Sequence, residues 1–420
     1  QFLSMFSRLL QKLRAVEPWQ RTLYIMFVAQ LLTAVGFSVI FPFLSLYVTE
    51  LGSHTALSVE FLAGAVFSAQ AITMMIASPI WGAVADRYGR KLMVERAMFG
   101  GAVIMLLMGF VRSGEELVLL RALQGMITGT VAAANALVAA VAPRQRSGFA
   151  MGLLLMGQTT GIAIGPLIGG VLADAFGYQL TFVLTSALLL TGGILVYFGV
   201  EERFSPEPKA ESAKRSFWAD WRHVFQAEGV ILAYTLRFLA NLGRVLLTPF
   251  APLFIATLLV DTSHLNTITG LVIGVSAGAG TITAVYLGRL GDRIGHGRVL
   301  KWSALTAGLL FLPQSLVTNA GQLLVLQALT GAAAGGIVPA ISALLAQYTQ
   351  PGEEGSVYGL DNSIVAGARA AAPLVGSVIA YWFDLRATFL ATAVVFLLVA
   401  CLSFWRLPAQ NPTPLPHLGD

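Results

Sequence analysis

Five ionisable residues stand in stretches otherwise apolar enough for a membrane interior: Arg121, Arg237, Arg244, Asp361 and Arg369. An ionised side chain at the centre of a bilayer costs roughly 2.5–3.5 kcal/mol on insertion scales, so such residues are kept where they pair, line a wet cavity or bind a ligand. The chemistry open to them is proton loading and release at the aspartate and recognition of polar or anionic groups at the arginines. Arg237, Asn241, Arg244 and Thr248 fall at about 0°, 40°, −20° and 20° around a helix of 3.6 residues per turn, which makes one polar stripe in an apolar span. Asp361, Asn362 and Arg369 lie on a later span. At about 1.5 Å per residue Asp361 is roughly 10 Å in from Glu354, Arg369 roughly 22 Å, and Arg237 about 13 Å in from Glu228. Asp361 and Arg237 are therefore expected level with each other, either as part of a coupling site or as a purely structural ion pair. Arg121, with Gln124, sits in LVLLRALQG at 117–125. It is expected to act with the proton-coupling carboxylate, the alternative being that it snorkels to the nearer interface.

The elements that must position these groups follow from composition. The chain has 420 residues, of which 56% are hydrophobic and 11% charged, with a mean hydropathy of +0.75. A soluble protein carries roughly 25% charged residues, so the solvent here is lipid. One cysteine, Cys401, excludes a disulfide scaffold. The net charge of +5 is spread in short clusters between apolar stretches, which excludes a nucleic-acid stripe. A spanning helix needs roughly 20 residues. Twelve runs qualify, at approximately 22–49, 60–84, 92–112, 116–141, 148–174, 179–200, 228–259, 267–289, 299–317, 321–346, 355–381 and 386–406. With the loops assigned alternately to two sides, twenty of the 26 lysines and arginines fall on one side, against Arg112 and Arg386 on the other. That bias predicts both termini on the cytoplasmic side.

These runs predict an all-α integral membrane protein with two six-helix bundles, 22–200 and 228–406. The expected flanks are an N-terminal interfacial segment at 1–21, a cytoplasmic linker at 201–227 and a cytoplasmic tail at 407–420. Residues 1–18 mix Phe2, Phe6 and Leu9 with Arg8, Lys12 and Arg14, the pattern of a helix lying on the membrane surface rather than a signal peptide. The opening Gln1, with no initiator methionine, fits a trimmed chain.

Sliding the chain on itself by 206 or 207 residues brings the halves into register. Gly36 and Pro42 meet Gly243 and Pro249; Gly82, Asp86, Arg87 and Gly89 meet Gly288, Asp292, Arg293 and Gly295; Pro166 and Phe182 meet Pro373 and Phe389. A duplicated unit of this kind is a transporter design with its site between the halves. Residues matched in both halves read as scaffold. Polar residues without a counterpart are better site candidates: Arg237 opposes Gln30, Arg244 opposes Phe37, Arg121 opposes Gln327, Asp361 opposes Leu154 and Arg369 opposes Ile162.

Two further patterns bear on movement. GAVADRYGRK at 82–91 has glycines at Gly82 and Gly89 for a tight turn, Asp86 able to face a helix N-terminus, and Arg87 and Arg90 suited to an anionic leaflet; GRLGDRIGHGR at 288–298 is its degenerate copy. GQTTGIAIGPLIGG at 157–170 spaces Gly157, Gly161, Gly165 and Gly169 by four, with Pro166 and Gly170 beside them, a stripe for close helix approach. Gly270, Gly274 and Gly278 make a similar stripe on the eighth span, the expected partner across the interface.

These two segments and LVLLRALQG resemble the three signature motifs of the major facilitator superfamily. The glycine-rich segment is similar to the antiporter motif of its twelve-helix drug:proton antiporters, and GFSVIFPFLSLYVTELG at 36–52 resembles the first helix of that branch, most like multidrug exporters of the MdtG type. The likeness runs over nearly the whole chain and is strongest over 36–170. It implies rocker-switch alternating access and export driven by proton entry. Unlike many of those antiporters, this chain has no acidic residue within its first span.

The expected site is thus Asp361 with Arg121 for proton coupling, and Arg237, Asn241, Arg244, Asn362, Arg369 and Gln124 for the substrate cavity. Gly82, Asp86, Arg87, Gly89 and Arg90 form the expected gating loop. The partners are a small-molecule substrate, protons and the bilayer of a bacterial inner membrane, with the monomer as the working unit. No cofactor or metal is called for: there is no phosphate-binding loop, ligand cluster or triad, and an enzyme is not expected. Two other readings remain, a dedicated transporter of one anionic metabolite or lipid, and a membrane sensor that does not transport.

Overall fold

A computed structural model of the chain describes residues 17–55, 57–202, 229–348 and 354–407, with some side chains inside that range, Asp86 among them, left out. Residues 1–16 of the expected interfacial segment, most of the linker and residues 408–420 of the tail lie outside the described residues, and residues 18–21 belong to the first spanning helix.

The described residues form fifteen α-helices. In the first half these are α1 (Pro18–Ser38), α2 (Leu44–Leu51), α3 (Val59–Tyr88), α4 (Arg90–Met108), α5 (Gly114–Ile127), α6 (Thr130–Val141) and α7 (Ser147–Gly199). The second half holds α8 (Val230–Leu246), α9 (Ala251–Leu258), α10 (Leu265–Ile294), α11 (His296–Gln314), α12 (Ala320–Ala334), α13 (Ile337–Tyr348), α14 (Glu354–Trp382) and α15 (Leu385–Arg406). Among the described residues eight segments are long and apolar enough to cross a membrane, and the 53 residues of α7 are two helices joined at a kink at Gly177 (φ 78°), matching two of the expected spans. The charges at the start of α4 and α11, and the break between α5 and α6, keep those three elements from standing out by composition. With them the helices coincide with all twelve expected spans. The protein is an all-α integral membrane fold of two six-helix halves.

The breaks repeat. The first span divides into α1 and α2 around Pro42, and the seventh into α8 and α9 around Pro249, because proline offers no N–H to continue a helix. The fourth span breaks at Gly129 (φ 142°) and the tenth between α12 and α13. Gly89 (φ 97°) and Gly295 (φ 96°) are the one-residue turns from α3 to α4 and from α10 to α11; a side chain there would be strained, which accounts for the shared glycine of the two loop motifs. At the opposite end Ser58, Ser113, Asn319 and Asp384 cap the helices that start there.

Packing keeps the halves distinct. One hydrophobic cluster runs through 230–407, and two others lie within 23–200. The halves meet along α7 with α10 and α3 with α14. That contact is closed at one end and splayed at the other. Gly170 presses on the backbone of Asn266 and Thr267, and Gly270 on that of Pro166, with no room for a Cβ. One turn further along α10, a Cβ on Gly274 would stand 2.9 Å from the Ala163 carbonyl oxygen; at Gly278 nothing lies within 4 Å. Likewise Gly64 of α3 packs on Pro373 of α14, whereas Gly359 and Gly367, nearer the start of α14, meet nothing within 4 Å. The end bearing Gly52 and Ser113 is therefore shut, and the end bearing Gly89 and Gly295 is open.

Candidate functional site

The α8 stripe and α14 form one wall of the space between the halves. Asp361 and Arg237 meet there in an ion pair at 3.0 Å, with Arg237 Nη2 donating to Oδ2. Their side chains are only 9% and 12% exposed. The neighbouring Tyr234 hydroxyl donates to the Val357 carbonyl at 3.0 Å, locking α8 to α14 just below the pair. Asn241 Nδ2 caps the Arg237 carbonyl at 2.9 Å and so steadies the same turn. The pair is incompletely satisfied: Oδ1 of Asp361 and both Nε and Nη1 of Arg237 are buried without a hydrogen-bond partner. Buried polar atoms are nearly always bonded, so the Asp361 oxygen is open to a proton or a donor, and the two guanidinium nitrogens to an acceptor.

Arg244, Asn362 and Arg369 are exposed, and Thr248 half-buried. Neither Arg244 nor Arg369 has a hydrogen bond or ion pair among the described residues. Arg244 and Arg369 lie seven and eight residues beyond the Arg237–Asp361 pair on α8 and α14.

Arg121 and Gln124 stand elsewhere. Arg121 is 1% exposed: its Nε donates to the Val66 carbonyl of α3 at 3.1 Å, its guanidinium donates to Gln124 Oε1, and its charge sits 5.8 Å from the Phe67 ring centre. No hydrogen bond or ion pair joins it to Asp361. Gln124 is fully buried. In this conformation the two brace α5 against α3 and do not line the open space.

In the loop motif, Gly89 makes its turn and Arg90 Nη1 donates to the Ala136 carbonyl of α6 at 3.0 Å. Arg87 lies over the Tyr88 ring, and nothing lies within 4 Å of a Cβ on Gly82. The Asp86 side chain lies outside the described residues. Glu202 accepts from the backbone N–H groups of Arg90 and Lys91 at 3.0 and 2.8 Å, capping α4 from the far end of the same half.

The glycine stripe departs from expectation. Gly157, Gly161, Gly165 and Gly169 all face α1: a Cβ on Gly157 would stand 3.1 Å from the Phe27 carbonyl oxygen, one on Gly161 3.0 Å from that of Leu31 and one on Gly165 3.0 Å from that of Val35, while Gly169 abuts Val39. Ser38 Oγ donates to the Gly161 carbonyl at 2.9 Å in the same seam. The partner of α10 is the adjacent face of α7, Ala163, Pro166 and Gly170. Steps of four residues stay on one side of a helix, so the stripe serves one neighbour, and Gly170 lies about 100° round from Gly169.

Sequence reasoning missed Asp174, at the shut end of α7. Its carboxylate accepts from the backbone of Asn266 and Thr267 and from Asn266 Nδ2, capping the start of α10 across the interface. The available signal was an acid closing a span whose partner helix opens with free N–H groups. At the same shut end, Ser53 and Thr55 hold the Glu115 carboxyl below the usual carboxylate range by hydrogen bonding, the Ser53 hydroxyl foremost. Among the described residues no cluster of three His, Cys, Asp or Glu could hold a metal ion.

A pseudo-symmetric pair of helix bundles that is shut at one end and carries a partly satisfied ion pair in the space between its halves has the architecture of a membrane transporter. The family profile of the Major Facilitator Superfamily matches residues 26–259 and 233–419, and the chain belongs to that superfamily. It is 36% identical over 399 residues to Multidrug resistance protein MdtG of Serratia proteamaculans, with 94% of this chain and 95% of that one covered. It is also 36% identical over 383 residues to the MdtG of Proteus mirabilis, covering 90% and 94%. Among solved structures the fold resembles the nucleoside transporter NupG, with a TM-score of 0.74 at 14% identity over 93% of this chain and 98% of that one. It also resembles the human organic anion transporter MFSD10, with a TM-score of 0.65 at 20% identity over 92% and 100%.

Proposed function

We propose that the protein is a secondary active transporter that exports amphiphilic small molecules, drugs among them, in exchange for protons across a bacterial inner membrane. The MdtG relatives are multidrug resistance proteins by name, and the match covers nearly all of both chains. The observation that carries the reading is the Asp361–Arg237 pair, almost dry, one carboxylate oxygen unpartnered, in a space closed at one end only.

In this reading the open end faces the cytoplasm, along with both termini and the linker at 201–227, as the lysine and arginine bias predicts. The halves 22–200 and 228–406 rock about the α7–α10 and α3–α14 contacts, each monomer working alone. A carboxylate that alternates between a dry setting and an arginine partner can take up a proton in one state and give it up in the other. The loop at 82–91 latches the cytoplasmic end when it shuts. Proteoliposomes loaded with a lipophilic fluorescent dye test the reading: an imposed inward proton gradient should drive dye out, and dissipating that gradient should stop it. Efflux that ignores the gradient would remove proton exchange from the proposal.

A further inference from the structure

The turn from α10 to α11 is the degenerate copy of the 82–91 loop, and the two copies differ in what surrounds the shared glycines. At a shift of 206 residues Tyr286 stands opposite Ile80, Arg289 opposite Ala83, Arg298 opposite Leu92 and Trp302 opposite Arg96. Two cations and two aromatic rings are thus peculiar to the second half, where scaffold alone would have matched the first. The cations around the first-half loop are engaged by the protein. Arg90 donates to the Ala136 carbonyl and Lys91 to that of Tyr197, and Arg96 lies 3.6 Å over the Trp81 ring. Arg289, Arg293 and Arg298 are exposed and have no hydrogen bond or ion pair among the described residues. The one acid of their turn, Asp292, pairs with His296 at 3.2 Å.

Beside these cations a groove of about 410 Å³ runs between Tyr286 and Leu287 of α10, Trp302 and Thr306 of α11, and Ala332 and Ala333 of α12. The Trp302 ring meets Phe404 of α15 edge to face at 5.7 Å, and α15 packs against α8, α11 and α14 of its own half. That contact puts the groove on the outer flank of the second half, against lipid, and away from the space between the halves. Tyr286 and Trp302 are both more than half exposed there. Around helices of 3.6 residues per turn, Arg289 and Arg293 stand within about 60° of Tyr286, and Arg298 within about 40° of Trp302. Counted at about 1.5 Å per residue from the turn at Gly295, the two aromatic residues lie roughly 10–14 Å along their helices and the three arginines roughly 3–9 Å. An apolar groove therefore runs up to a cationic rim at the depth where a leaflet places its phosphates.

We propose that this rim and groove bind an anionic phospholipid, with its phosphodiester set among Arg289, Arg293 and Arg298 and one acyl chain laid along Tyr286 and Trp302. Charge complementarity selects that occupant. The phosphate of a lipid such as phosphatidylglycerol brings the counter-charge that no described protein group supplies, and guanidinium N–H groups match its oxygens. A zwitterionic lipid carries its own cation, and a soluble phosphate would leave the groove unfilled. The proposal does not depend on which compound the protein exports.

Trp302 is the reporter for the test. The full chain is reconstituted in phosphatidylcholine nanodiscs in which part of the lipid is dibrominated in its acyl chains, either as phosphatidylglycerol or as phosphatidylcholine. Bromine quenches a ring it touches, and the difference between wild type and Trp302→Phe isolates the quenching at this position. Phosphatidylglycerol should associate there at least about 10-fold more strongly than phosphatidylcholine. Arg289→Gln and Arg298→Gln should each cut that preference by about 5-fold, the loss of one cation at a membrane surface, and the double variant should abolish it. The corresponding lysine variants should keep most of it. Thermal midpoints in the same discs separate a lost site from a lost fold, and the wild-type preference requires no variant. Glycerol 1-phosphate in large excess should leave the quenching unchanged; displacement by it would assign the rim to a soluble phosphate and overturn the lipid. Equal quenching by the two lipids, or a preference that survives in the folded double glutamine variant, would also overturn the proposal.

Discussion

Asp174 on α7 accepts hydrogen bonds from the Asn266 and Thr267 backbone N–H groups at 3.1 and 2.7 Å, so a carboxylate of one half caps the first turn of a helix in the other. Asn266 Nδ2 adds a third bond at 2.8 Å. These bonds exist only while this end is shut, so they bias the balance between the two access states and leave each half's own fold alone. A helix cap is worth about 1–2 kcal/mol, or roughly 5–30-fold in that balance. In a Cys401→Ala background, spin labels at positions 112 and 262 report the separation of the two halves at the shut end. Asp174→Ala should add a longer-distance population, and an unchanged distribution would show that the cap does not hold the gate.

The fold was legible because lipid makes simple demands: length, apolarity and cation bias locate spans without knowledge of their neighbours. The Asp361–Arg237 pair was legible for a related reason, since two charges in hydrocarbon at one depth have few other partners. Arg121 was not. Its charge is met by a backbone carbonyl and a neutral amide, and backbone acceptors leave no mark in a sequence. The glycine stripe pointed to a close helix contact but not to which helix, because a stripe describes one surface and names no partner. Asp174 was passed over as an acid at a span end, where most acids are simply solvated.

The two sets of glycines should respond differently to bulk. Gly161 is sealed against α1 whichever end is open, so Gly161→Leu overpacks a fixed seam and should destabilise the first half by roughly 1–3 kcal/mol. It would be read as a lowered thermal midpoint. Gly278 faces open space here and must meet α7 only when the open end shuts. Gly278→Leu should therefore fold with a near-normal midpoint yet lose most transport, held with the open end open. A variant that unfolds in the second case, or transports normally, contradicts the assignment of movement to the α7–α10 contact.

Topology can be read by labelling. With Cys401 replaced by alanine, a cysteine at Ser53 should react with an impermeant maleimide added to whole cells, and one at Ser212 only after permeabilisation. The cations at 87–96 and 289–301 would otherwise have to cross the bilayer, each at a cost of roughly 2.5–3.5 kcal/mol at its centre. The opposite labelling pattern would invert the orientation, and with it the direction of transport proposed here.

Asp361 is 6% exposed, paired through Oδ2 and bare at Oδ1, and the position matching it in the internal repeat is the apolar Leu154. Protonation would neutralise the carboxylate and loosen its hold on Arg237, freeing that guanidinium for substrate or for the next conformation. Loss of the proton would restore the pair. Asp361→Asn keeps the shape and a carbonyl acceptor but fixes the neutral state, so the step that couples the gradient to movement disappears. The variant should bind substrate within a few-fold of wild type, with an affinity that no longer varies with pH, and its gradient-driven efflux should fall by about 100-fold or more, on the order of 3 kcal/mol at the coupled step. Arg237→Gln should behave differently, leaving a buried acid without its partner and lowering stability as well as transport. Proteoliposomes in which Asp361→Asn pumps at the wild-type rate would move the coupling site elsewhere, first to Glu95, which pairs with Lys91 at 3.4 Å near the open end.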